Sequence, residues 1–257
     1  MVLRKGFFKA MRTITVTISA VTNQANIRAL AGNPADAVNV IVNVNAVVYS
    51  STATVAALVT GAGWAAGSKI KIVNNSTIYG CGGAGGTSGV NEDVGWDNNS
   101  GGVRPAAWGG SGGAAIEIQD GNVAVSIDNT NGFIYGGGGG GGGGATGSQP
   151  GNNESLVIGG TGGVGRSYNQ SAGAGGNSYL VDGSYDSVST DSATYSMGGA
   201  GGDYGAAGSA GHDPGTMTYY YTAPSAGGAG GKAVALGGHS VTWIAGNDTT
   251  KIKGAVA

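Results

Sequence analysis

Three side chains, His212, His239 and Cys81, supply all the imidazole nitrogen and thiol sulfur in this chain, and they stand far apart. Zinc is held by at least three such ligands or carboxylates at close spacing, so no metal site is expected. His212 and Asp213 could be drawn beside any of the many serines as a nucleophilic triad. A triad is defined by geometry, and a turn leading into Pro214 explains the same residues more simply. Gly160-x-Gly162-x-x-Gly165 spells the dinucleotide fingerprint, which needs a strand before it and a helix N-terminus after it to hold a pyrophosphate. Here only 156–158 are apolar ahead of it, and 166–170 open no amphipathic helix. Gly198-Gly199-Ala200-Gly201-Gly202-Asp203 resembles one unit of the calcium-binding nonapeptide repeat, an architecture built from tandem copies. The expectation is no enzyme and no cofactor.

The remaining chemistry is aromatic. Residues 87–108 hold Trp96, Arg104 and Trp108; 177–197 hold Tyr179, Tyr185 and Tyr195; 212–225 hold Tyr219, Tyr220 and Tyr221. Tyrosine among Ser, Gly, Asn and Asp is the composition of recognition loops, because the ring offers rigid, amphipathic contact area. The same rings could instead cover the ends of whatever scaffold lies between them. Both uses are expected, with some rings inward and others presented. These nine residues are the candidate receptor-binding set.

The scaffold that must position them is written in glycine. A run at 136–144 has shorter relatives at 80–86, 109–113, 159–165, 173–176, 198–202, 205–211 and 226–231. Such tracts ordinarily read as flexible linkers. The favoured alternative is a bundle of left-handed extended helices with three residues per turn, the polyglycine counterpart of polyproline II. These helices have no internal hydrogen bonds, so each must be satisfied by its neighbours. Only glycine lets backbones approach on every side, with Ala84, Ser111, Ala200 and Ser209 tolerated on outward faces. Aromatic residues between the tracts and a charged fraction of only 10% argue against a disordered chain.

The rest of the chain is conventionally patterned. Alternation of Ile14, Val16 and Ile18 with threonines reads as a half-buried strand, followed by a short helix with Asn23 as N-cap and a second strand over 38–49. Segments 69–73 and 77–79 read as a strand pair around Asn74-Asn75-Ser76. Residues 11–79 therefore form an expected α+β attachment unit, and 80–257 the glycine-rich bundle with β-blocks at 114–135 and 232–254. The two blocks align without a gap at an offset of 118 residues, from 109–136 to 227–254. The predicted fold class is mainly β and irregular: a small α+β unit followed by a polyglycine II sandwich with long connecting loops. If consecutive tracts run antiparallel, both β-blocks fall at the base beside 11–79, and the long aromatic segments fall at the far tip. At roughly 3.1 Å per residue the bundle would be on the order of 20–30 Å tall.

A net charge of −2 excludes an electrostatic footprint for nucleic acid. Nor is there an apolar run of the roughly 18 residues a membrane helix needs. The first ten residues carry Arg4, Lys5 and Lys9 without a signal-peptide core, so Sec-dependent secretion is not expected. Met11 begins a cleaner pattern and could be an alternative start.

The glycine tracts with intervening aromatic loops resemble the tip adhesins of long tail fibres from T-even-like bacteriophages. The stretch Ser68-Lys69-Ile70-Lys71-Ile72-Val73-Asn74-Asn75-Ser76-Thr77-Ile78-Tyr79-Gly80-Cys81-Gly82-Gly83-Ala84-Gly85-Gly86 looks like a module common in phage tail and fibre proteins, and the preceding region 23–60 fits that module too. The N-terminus departs from those adhesins in lacking their Trp-rich attachment segment. The resemblance implies host attachment on a virion tail fibre or tail tip, by binding an outer-membrane protein or lipopolysaccharide. It also implies contact with other tail or fibre proteins through 11–79, and a homotrimer is one assembly compatible with it. Synthesis in the host cytoplasm and release on virions would follow. The alternative is a structural tail-tip or fibre-capping protein. An ice-binding polyglycine protein would want a flat face without bulky tyrosine loops.

Overall fold

The computed structural model describes residues 10–91, 103–149, 155–181, 188–189, 196–213 and 220–257. The fold is mainly β. Helix among the described residues is confined to α1 (Ile27–Leu30), a single turn capped by Asn26, whose side chain accepts from the Ala29 amide at 3.1 Å. The expected cap, Asn23, lies instead in a strand; Asn26 is the residue whose carboxamide reaches back over the turn.

The strands wind as a three-sided parallel solenoid. The first rung is β1 (Arg12–Ile18), β2 (Thr22–Asn23) and β3 (Ala25–Asn26). The second is β4 (Val38–Val44), β5 (Val48–Tyr49) and β6 (Leu58–Val59). The third starts with β7 (Ser68–Asn74) and β8 (Thr77–Tyr79); the chain then leaves, forms β9 (Val90–Asn91) and β10 (Val103–Arg104), and returns as β11 (Ile116–Glu117). The fourth starts with β12 (Val123–Asp128) and β13 (Phe133–Tyr135). A longer departure carries β14 (Thr146–Gln149), β15 (Ser155–Ile158), β16 (Tyr179–Val181), β17 (Val188–Ser189) and β18 (Tyr220–Thr222) before β19 (Val234–Ala235) closes the rung. The fifth is β20 (Val241–Ala245), β21 (Ile252–Lys253) and a bridge from Val256 to Val234.

The three faces are the parallel sheets β1-β4-β7-β12-β20, β2-β5-β8-β13-β21 and β3-β6-β11-β19. Alternation in each strand stacks like on like inside. Ile14, Val40, Ile70, Val125 and Val241 are in register, as are Val16, Val42, Ile72, Ile127 and Trp243. Val48, Ile78, Ile134 and Ile252 line the second sheet, and Ala25, Leu58, Ile116 and Val234 the third. Most are fully buried, and each such aliphatic side chain contributes roughly 1.5–3 kcal/mol. One corner is fixed by buried amides: Asn74 Nδ2 donates to Asn129 Oδ1 at 2.7 Å, and Asn129 Nδ2 to the Gly246 carbonyl at 3.0 Å. Another is held by Asp120, which accepts from the amides of Gly63 and Trp64, both at 2.8 Å.

Three local expectations change. β7 and β8 do not pair with each other; they belong to different faces, and each pairs in parallel with the rung above and below. The strand expected over 38–49 is two strands, because the chain turns the same corner at 45–47. The repeated blocks pair at the expected offset for Ile116↔Val234 and Ile134↔Ile252, but the strand between slips by two residues, Val125↔Val241, and a bulge after Ile127 begins to restore it. Strands of 11–79, 114–135 and 232–254 therefore share the same sheets.

The glycine segments fill both departures. Nitrogens along 136–144 address neighbours with a period of three. Gly137, Gly140 and Gly143 donate to Gly113, Gly110 and Ala107; Gly138, Gly141 and Gly144 donate to Arg166, Gly163 and Gly160; Gly139 and Gly142 donate to Ala206 and Ser209. Their carbonyls accept from Gly83 and Gly86, from Gly202 and Gly199, and from Gly231, Gly228 and Ser225. Six segments thus surround 136–144, and each also bonds to the next, closing a ring; 173–176 lies outside it against 159–165 and 198–202. Residue order along these bonds shows directions alternating in chain order from each segment to the following one. Segments 80–86 and 205–211 run with 136–144, and 109–113, 159–165, 198–202 and 226–231 run against it. Exposure also repeats every third residue, as at Ala223, Ala226, Ala229 and Lys232, and Ala84, Ser111, Ala200 and Ser209 all face outward. Inside there is no room for a side chain: a Cβ on any glycine of 136–144 would sit 1.8–2.2 Å from a carbonyl oxygen of a neighbouring segment.

Candidate functional site

Because the segments alternate, the stretches between them sort to two ends. The Gly136 amide donates to the Lys253 carbonyl at 2.8 Å, so the near end abuts the solenoid. At the far end, 136–145 runs into β14 of a five-stranded antiparallel sheet ordered β17-β16-β15-β14-β18. The two-stranded β9-β10 ribbon joins it there, with β10 against β18.

This end gathers the backbones of several candidate residues. Arg104 lies in β10, Tyr179 in β16 opposite Ile158, and Tyr220 and Tyr221 in β18 opposite Ser148 and Gly147. Trp108 heads the segment that runs back to the solenoid, and its side chain is 77% exposed. It stands on a fixed backbone: the Ala107 amide donates to the Thr87 carbonyl at 2.9 Å and the Gly109 amide to Ala226 at 3.0 Å. Trp96, Tyr185, Tyr195 and Tyr219 lie outside the described residues.

A second aromatic group, missing from the candidate set, lies at the near end. Tyr49, Tyr79 and Tyr135 occupy one register on the outer side of the second sheet. Tyr168 packs on Tyr49 and Tyr79, with ring centroids 4.8 and 5.3 Å away; Tyr204 packs on Tyr79 and Tyr135, at 5.3 and 5.0 Å. Arg166 lies 4.5 Å over the Tyr204 ring and binds Asp203 at 2.8 Å. That hydrogen bond raises the Arg166 pKa, while the Tyr204 amide and then Arg166 hold the Asp203 carboxyl below its usual range. Burial pushes the Tyr135 and Tyr204 hydroxyls up, so both rings stay neutral. These residues fasten the near-end turns to the solenoid wall. The Tyr-Gly exits at 79–80 and 135–136 were the available signal, since they mark one repeated position.

The motifs weighed for catalysis and cofactors lie in separate parts of the fold. The His212 backbone belongs to the far end, where its carbonyl accepts from Ser196 Oγ at 3.1 Å, and His239 stands beside Gly121 on the solenoid. The 160–165 string is one of the glycine segments and leads into a short bridge between Ser167 and Gln170, not a helix. Among the described residues no three His, Cys, Asp or Glu side chains group as metal ligands, and no helix is long and apolar enough to cross a membrane.

A solenoid that holds both feet of a bundle of glycine segments, with strands and loops at the bundle's opposite end, defines a display scaffold. The family of phage tail fibre adhesins described as Gp38 matches residues 13–257, and the chain belongs to that family. Among solved structures, the gp37-gp38 adhesin tip complex of the bacteriophage S16 long tail fibre is similar. The TM-score is 0.54 at 24% identity, over 95% of this chain and 82% of that one, a likeness of fold. No curated protein matches.

Proposed function

We propose that the chain recognises a host cell-surface receptor, an outer-membrane protein or lipopolysaccharide, through its far end. The glycine segments are read as polyglycine II helices: a period of three in hydrogen bonding and exposure is what three residues per turn produces. The observation that carries the reading is the gathering of β10, β16 and β18 at one end of a bundle whose other end is fixed to the solenoid. Rigid scaffolds that present aromatic residues concentrate binding energy in a few of them. Trp96, Arg104, Trp108, Tyr179, Tyr185, Tyr195, Tyr219, Tyr220 and Tyr221 are the candidate contacts.

The other end attaches to a tail fibre on the virion, with residues 11–79 taking part. Similarity to a chain of the gp37-gp38 adhesin tip complex supports a fibre protein as that partner.

Loop exchange tests the reading. Virions in which 87–108, 177–197 and 212–225 are replaced by the corresponding stretches of a relative with another host should adopt that relative's host range. Particles that assemble and keep the original range would assign the chain to a structural cap instead.

A further inference from the structure

At the far end six of the eight glycine segments run within a few residues into or out of a strand (β9, β10, β14, β15, β16 or β18), exchanging a three-residue for a two-residue repeat, and the lateral hydrogen-bond pattern cannot continue through that change. Amides and carbonyls left over in a buried layer are destabilising if unmet. Five hydroxyl side chains stand in this layer, and all are buried: Thr146, Ser178, Ser196, Thr222 and Ser225 are 0–6% exposed. A hydroxyl carries one donor and two acceptor sites, so each can join backbones that no longer match.

The bonds reach all eight segment ends. Thr146 Oγ1 donates to the Gly89 carbonyl and accepts from the Gly159 amide at 3.4 Å, while the Thr146 amide donates to Thr222 Oγ1 at 2.9 Å. Ser196 Oγ donates to the carbonyls of Ala145 and His212, and the Ser196 amide donates to Ser178 Oγ at 3.1 Å. Ser225 Oγ donates to the Ala107 carbonyl and accepts from the Gly143 amide at 2.7 Å. Stretches 89–107, 146–159, 178–196 and 212–225 therefore begin and end on these bonds, and Trp108 follows directly on one of them.

We propose that Thr146, Ser178, Ser196, Thr222 and Ser225 form a hydroxyl collar that positions the receptor-facing stretches on the bundle. They are positioning residues, not contacts: buried beneath the stretches they hold, they fix where each leaves the scaffold. This rests on the adhesin reading for its purpose and on geometry for its existence, and the two are tested apart.

The full chain and its Thr146→Val, Ser196→Ala and Ser178→Ala variants are compared by amide exchange and by their ability to block adsorption of the virion to its host cells. Exchange should quicken about tenfold or more in β9, β14 and β18 for Thr146→Val, and at 196–197 and 212 for the serine variants, while β7 and 137–141 are unchanged. Blocking should fall by about tenfold, and Thr146→Ser, which keeps the hydroxyl, should restore both. Uniform quickening through solenoid and bundle, no quickening at all, or a Thr146→Ser variant as impaired as Thr146→Val would overturn the collar. Should Ser196→Ala fail to fold, Ser178→Ala, which removes the acceptor of the Ser196 amide, decides by the same local readout. An unaltered chain that does not block adsorption refutes the adhesin reading, and the exchange pattern then judges the collar alone.

Discussion

Replacing Gly140 by alanine is the smallest perturbation that tests the close approach of the glycine segments. A methyl group there would stand 1.8 Å from the Ala84 carbonyl oxygen and 2.5 Å from its carbon. Relief requires the 80–86 and 136–144 backbones to part by on the order of an ångström, since non-bonded carbon contacts optimise near 3.5–4.0 Å. Ala84 O also accepts from the Gly110 amide at 2.7 Å, and Gly140 itself donates to Gly110 and accepts from Gly228. The displacement therefore strains at least three buried hydrogen bonds. Overpacking costs roughly 1–3 kcal/mol and each weakened buried bond about 1 kcal/mol, giving about 4–6 kcal/mol in all. Against a typical 5–15 kcal/mol of stability this should lower the thermal midpoint by about 10 °C. Ala229→Ser is the control, because that position is exposed in the same segment pattern, and it should be neutral. Scanning calorimetry reads both. A Gly140→Ala midpoint within about 2 °C of the parent would refute close packing as the reason for glycine.

Other outcomes follow from single sites. The Asp120 carboxyl is held below its usual range by the amides of Asn122, Trp64 and Gly63, so its contribution is complete above about pH 4 and lost as pH falls through the lowered value. Asp120→Asn should therefore destabilise the chain at pH 7 and flatten the fall in stability below about pH 4, as followed by acid titration of tryptophan fluorescence. Asn129→Ala removes a bond to Asn74 and another to Gly246 and should cost about 2–4 kcal/mol in urea unfolding; an unchanged midpoint would show that water replaces the amide. Trp108→Ala should leave the melting curve unchanged and, if the ring is an anchor, weaken host-cell binding by roughly 1–4 kcal/mol, measured as the concentration that half-blocks adsorption.

Much of the architecture is legible because it follows from two periods. Alternating Val and Ile give the strands, and the glycine tracts with small residues on their outward faces give the segments. What pattern could not supply is which sheet a strand joins. Asn74-Asn75-Ser76 between two short apolar runs has the composition of a hairpin turn. In the fold those residues turn the chain around a corner, and the partner of each strand comes from another rung. The same blindness put the repeated blocks in a gapless alignment, whereas the register between β12 and β20 slips by two. The near-end tyrosines were overlooked because Tyr49, Tyr79 and Tyr135 are separated by 30 and then 56 positions, and only stacking brings them to one register. The far end was placed by counting segments, a topological argument that needs no side-chain geometry.

The arrangement of 136–144 also sets an order of assembly. Its neighbours 80–86 and 109–113 precede it in the chain, but 159–165, 198–202, 205–211 and 226–231 follow. During synthesis the central segment therefore waits, with most of its amides and carbonyls in water, until 226–231 has appeared. The first rungs have no such delay, because β4 and β7 are nearby in sequence. Closing the fourth rung must bring β19 back across the whole of 136–233. Tripling a loop adds only about 1 kcal/mol to its closure, so the obstacle is the simultaneous ordering of many glycines. The N-terminal rungs would act as a template on which the bundle condenses in one late, cooperative step. A chain that stops before 226–231 has no wall on one side of its central segment, and so no partly built bundle to settle into.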